Sequence, residues 1–416
     1  MHSRRLFLKN SALAMIGVGS APAWLGRALY AADAPTTRKK VLVAIFQRGA
    51  VDGLNMVIPH AEKRYYEIRP NIAIPAPGTK PAGDCAIDLD GFFGLHPALA
   101  PLKPIYDQGK LAIVDAAGSP DPTRSHFDAQ DYMESGTPGR KATLDGWLNR
   151  ALVPEPSNKK ISPLRAVSLG PSLARTVRGN NEALAISNLS DFQIKDAKSS
   201  NTFENMYAGT VDQVLHGTAR ETFDAVRIVQ DVEKRAYSPA NGASYPAGRF
   251  GQSMQQIARL IKSNVGLEVA FADMGGWDTH VNEVGQKPTL GPLANLLGEF
   301  GQALAAFYTD LGDYMQDVTI VTMSEFGRTA KENGNRGTDH GHANAMFVLG
   351  GDIQGGKVVG KWPGLASEEL YEGRDLNVTT DFRDVLAELT VKHLGNSKVA
   401  SVFPGYVTPR FRGLVG

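Results

Sequence analysis

A mostly parallel α/β sheet covered by helices on both faces is the fold class this sequence predicts, and three observations carry it. Short apolar runs rich in β-branched residues show neither helical period nor polar alternation; helical-period segments separate them; polar clusters follow the runs at comparable places.

The first run, "KKVLVAIF" (39–46), follows a linker at 33–38 and leads into the Gly-rich turn "QRGAVDGLN". A helical pattern then ends at Gly109, and residues 110–116 read as a second strand. Ser125 is placed to cap a helix over 126–135, with Asp128 at the capping-box position. Two further helix-then-strand units give strands at 267–273 and 317–323, and "NAMFVLGG" is a last candidate strand. Residues 157–249 are less regular and read as a helical cap or subdomain.

Composition narrows the function. The chain has 416 residues and a formal net charge of +1, so nothing marks it for polyanions and nucleic acid is not expected as a partner. Cys85 is the only cysteine, which rules out an intramolecular disulfide and a cysteine-rich metal site. At the start, "SRRLFLK" followed by an apolar run resembles a twin-arginine export signal, with cleavage expected near Ala32. The expected location is therefore periplasmic or secreted, with the twin-arginine machinery as a partner and no membrane span in the mature chain.

Ligands of such sheets bind beyond the carboxyl ends of the strands. Asp278 and His280, after the double glycine of "FADMGGWDTH", either belong to a Gly-Gly turn with Asp278 as an Asx cap and His280 as a polar contact, or pair a carboxylate with an imidazole as zinc, manganese or iron sites do. In "SEFGRTAKENGNRGTDHGHAN", Glu325 follows a strand, and Asp339, His340 and His342 follow a Gly-rich loop. Both histidines bind one ion, or one binds while the other donates a proton, or the loop is a surface loop that its Asp and His merely solvate, a reading weakened by Asp278 and His280 at the same sheet edge. Asp52 either completes a metal shell or serves a plain Asp-Gly turn. Ser125 is either a helix cap or a nucleophile at a helix N-terminus, with Thr123, Arg124 and His126 as alternative actors. Arg48 and Arg328 each follow a strand end and could clamp a tetrahedral anion.

"RGAVDGLN", "GLHPALAPLKPIYDQGKLAIVDAAGSPDPTRSHFDAQDYMESG", "GGWDTH", "SEFGRT" and "VFPGY", in this order, resemble the bacterial domain-of-unknown-function family numbered 1501. That family is similar to the alkaline-phosphatase-like superfamily, which includes sulfatases. The resemblance implies a divalent metal (zinc, manganese, magnesium or calcium) and a small phosphate or sulfate ester as substrate. It assigns metal ligands to Asp52, Asp278, His280, Glu325, Asp339 and His340, and catalytic work to Ser125, His126, Arg328 and His342. Two ions would activate the attacking oxygen and stabilise the leaving one. Formylglycine chemistry is disfavoured, because "SPDPTR" sets Ser119 three residues before Pro122 rather than two. The alternative is a non-catalytic exported binding or assembly protein of the same fold. An oxidoreductase is not expected, since "GGDIQGG" is no dinucleotide fingerprint.

Overall fold

The structure, a computed structural model, describes residues 38–154, 161–191, 213–406 and 408–416. The proposed export signal lies outside the described residues. From Lys39 onward the chain forms one unit.

Its centre is a nine-stranded sheet. In chain order the strands are β1 (Val41–Gln47), β2 (Leu111–Gly118), β3 (Ala166–Leu169), β4 (Leu184–Ile186), β5 (Val269–Met274), β6 (Val318–Met323), β7 (Asn344–Gly350), β8 (Lys357–Val359) and β9 (Thr380–Asp381). Across the sheet the order is β8-β2-β7-β6-β1-β5-β3-β4, with β9 beside the end of β2. Only β7 runs antiparallel to its neighbours.

Every residue of β1 is buried, the mark of a strand covered on both faces. Val41, Val43 and Ile45 join one apolar core with α2 (Arg249–Lys262) and α3 (Pro292–Leu311). Leu42, Ala44 and Phe46 join a second core with α4 (Phe382–Glu388) on the opposite face. Register then decides where the loops emerge. Phe46 lies level with Asp273 of β5 and Met323 of β6, so the turns after β1, β5 and β6 leave the same edge side by side.

Two expectations change in detail. Within 157–249, read as a cap or subdomain, β3 and β4 extend the central sheet; at four and three residues they were too short to show a pattern. The helix expected before Gly109 is broken into a 3-10 segment, Pro97–Leu102, and a short helix, Lys103–Asp107, because Pro101 and Pro104 remove backbone donors. The helix at 126–135 forms as expected and is labelled α1 (His126–Ser135). Among the described residues, no helix is long and apolar enough to cross a membrane.

Candidate metal centre

Four polar side chains converge at the carboxyl edge of the sheet. His126 opens α1, Asp278 and His280 follow β5, and His340 precedes β7. His126 Nε2 is 2.9 Å from His340 Nε2, which is 3.0 Å from His280 Nε2. Asp278 Oδ1 lies 2.9 Å from His280 Nε2, 3.3 Å from His340 Nε2 and 3.5 Å from His126 Nε2. His126, Asp278 and His340 each bring one ligand atom within 4.8 Å of the others.

The far side of each ring fixes its tautomer. His126 Nδ1 is 2.7 Å from Glu325 Oε1, His280 Nδ1 is 3.2 Å from Asp339 Oδ1, and His340 Nδ1 is 3.0 Å from the Arg124 carbonyl. Those partners only accept, so each Nδ1 carries a hydrogen and each neutral ring turns an Nε2 lone pair inward. Three lone pairs and a carboxylate oxygen thus face one another. A shared proton relieves one such pair, whereas a cation relieves all of them. Tetrahedral zinc with bonds of about 2.0–2.1 Å sets its ligands about 3.3–3.4 Å apart. The observed separations of 2.9 to 3.5 Å lie around that value.

The electrostatics follow the same division. Burial by itself would raise the Glu325 carboxyl, but hydrogen bonds from His126, Gln130 and the Gly49 N–H hold it below its usual range. Its hydrogen bond to Glu325 raises His126, while burial and then His126 and Arg328 lower His340. Asp278 also sits low: Arg328 donates to it at 2.7 Å and outweighs the cost of burial.

The residues named from sequence divide into three groups. Asp278, His280 and His340 meet as expected, and His126 joins them at ligand distance rather than standing apart as an acid or base. Glu325 and Asp339 lie one step out, where they orient imidazoles in the way outer carboxylates orient metal-bound histidines.

Asp52, Arg328 and His342 are placed differently. Asp52 is buried, and both its oxygens accept from Arg69, at 2.5 and 3.0 Å. Arg328 is buried as well: Nε donates to the Ala50 carbonyl, Nη1 to that of Thr338, and Nη2 is shared among the carbonyls of Gly49 and Trp277 and Asp278 Oδ1. A guanidinium engaged at all three nitrogens anchors Asp278 and keeps no pair of parallel N–H groups for bidentate grip of an anion. His342 points to the Ser119 carbonyl and packs on Tyr371, away from the cluster. Nor do the described residues gather a second ion site; one group meets the geometry.

Ser125 caps α1 by accepting from the Asp128 N–H at 3.5 Å. The capping box stays open, since the Ser125 amide donates to Thr123 Oγ1 and Asp128 pairs with Lys141. Arg48, the other candidate clamp, pairs with Asp273 and Glu134. Arg69 and Glu283 went unnoticed in the sequence. Arg69 acts on Asp52 from the residue just after a short helix, Lys63–Ile68, that carries no motif, and Glu283 sits in "VNEVG", where only its burial distinguishes it.

A family described as "Protein of unknown function (DUF1501)" matches residues 111–400. No curated protein matches the sequence. Solved structures similar to the chain at low identity include these three. The PsFucS1 sulfatase from Pseudoalteromonas sp. is 11% identical, with TM-score 0.37 over 92% of this chain and 75% of that one. The lipoteichoic acid synthase LtaP from Listeria monocytogenes is 9% identical, with TM-score 0.30 over 75% and 65%. The PH0037 protein from Pyrococcus horikoshii is 11% identical, with TM-score 0.29 over 76% and 86%.

Proposed function

The chain belongs to the DUF1501 family, and we propose that it is an exported, metal-dependent hydrolase of small phosphate or sulfate esters. The observation that carries the reading is the inward-facing set of acceptors: three imidazole Nε2 atoms and Asp278 Oδ1 with no donor among them. Histidine-rich sites of this kind suit zinc first, then manganese or iron; magnesium and calcium prefer oxygen ligands and fit less well. When bound, such an ion polarises an ester oxygen and makes an attacking oxygen acidic.

The chain's own groups would do the rest. Glu325, Asp339 and the Arg124 carbonyl hold the imidazoles with their lone pairs inward, and Arg328 fixes Asp278. Ser125 is the candidate nucleophile: it adjoins His126 at the head of α1, and its oxygen accepts one N–H while its own proton stays available. The sequence resemblance supports the ester class, and the Arg-Arg motif supports export. The engagement of Arg328 favours a second reading, a non-catalytic binding protein with one ion, because the arginine that touches Asp278 keeps no free pair of N–H groups to grip a leaving anion.

The test is elemental analysis of purified protein together with a divalent-metal screen on aryl phosphates and aryl sulfates. About one ion per chain is expected, with turnover lost in His340→Ala and reduced at least about a thousandfold in Ser125→Ala. Stoichiometric metal with no turnover would leave the binding protein standing, and absence of both would sink the metal reading itself.

A further inference from the structure

Beneath the cluster lies a buried carboxyl to which the chemistry assigns no part. Glu283 is fully buried. Its Oε2 accepts from Thr279 Oγ1 at 3.1 Å and from Thr338 Oγ1 at 2.9 Å. Thr279 lies between Asp278 and His280, and Thr338 immediately precedes Asp339 and His340. One carboxyl therefore grips both loops that deliver the ligands.

The two loops already run together. Thr338 N donates to the Thr279 carbonyl, Asn282 N to that of Asn335 and Glu283 N to that of Arg336. These backbone bonds fix the height of one loop against the other. The Glu283 carboxyl adds a side-chain link between the residues that adjoin Asp278/His280 and Asp339/His340. Its second oxygen has no donor among the described residues, and Asp52 lies against it with both oxygens on Arg69. Arg69 in turn donates to the carbonyls of Thr329 and Ala330, so the hub reaches the segment after β6 as well.

We infer that Glu283 is a positioning residue of the metal centre, setting its geometry by holding Thr279 and Thr338 rather than by touching the ion. The inference rests on the metal reading above. Outer residues of this kind typically change metal affinity by about 10–100-fold.

Cobalt(II) serves as the probe, because its affinity and its visible spectrum report coordination without any turnover. Wild type is expected to take up one cobalt with the intense absorption of a low-coordinate site. Thr279→Val/Thr338→Val, which keeps the carboxyl but removes both links, should bind at least about 10-fold more weakly, with an altered spectrum. Glu283→Gln, whose amide oxygen still accepts and whose N–H₂ can face Asp52, should restore both properties. Circular dichroism shows which variants remain folded, and if Glu283→Gln does not fold, the double valine variant decides. If that variant binds as tightly as wild type with the same spectrum, Glu283 does no positioning. If wild type takes up no cobalt, the metal reading and this inference fall together.

Discussion

At the scale of single residues, burial decides which acids are for chemistry and which are for structure. Asp278 and Asp339 are exposed enough to meet an ion or a ring, whereas Asp52 is sealed with Arg69, a partner seventeen positions away that no local motif announces. Sequence could list Asp52 and Arg328 as polar groups at strand ends; it could not show that each is engaged by distant partners. Asp115, on β2, offers a cleaner test of burial. Its side chain is enclosed, one oxygen lacks a partner, and burial pushes its carboxyl up to about 7. In the unfolded chain the same group titrates near about 3.9. A folded value above the unfolded one means that stability is complete below about pH 4, falls as pH rises toward 7, and levels off beyond it. Urea midpoints measured from pH 4 to 8 should show that decline in wild type, and Asp115→Asn should flatten it; the same slope in both would show that Asp115 is not its source.

Among the elements, the clearest readings were those with long, regular patterns. Helix α1 and the five long strands were legible because apolar runs and a capping serine are local signals. Strands β3 and β4 were not, being held by pairing with β5 and with each other rather than by their own composition. The loop from Ser324 to Asn344 shows why two histidines flank one glycine. Arg328 pairs with His340 across an isolated bridge, and a Cβ on Gly341 would run into the Arg328 carbonyl. Only glycine permits that approach, which delivers His340 to the cluster and sends His342 to Ser119. Gly341→Ala should therefore force the two strands of the loop apart and lower metal affinity at least about tenfold, as read by competition with a chromogenic chelator. Unchanged affinity would mean that the loop has slack the structure does not show.

For the whole molecule, the sheet and the ion would hold different parts. The two cores on either face of β1 require no metal, since their contacts are apolar and continuous. The edge is another matter: its loops run irregularly, and three of them bring acceptors that repel one another without a cation. Ligand binding to the native state adds stability of about 2.7 kcal/mol at a hundredfold excess over the dissociation constant. At the edge that stability should be local, because segments held by few apolar contacts open independently of the core. Stripping the ion with a chelator and following amide hydrogen exchange should thus raise exchange in 275–283 and 324–342 and at the head of α1, while amides of β1, β5 and β6 keep their protection. Equal loss across the strands would make the ion a structural requirement of the whole fold, and no change anywhere would mean that these four side chains hold no ion at all.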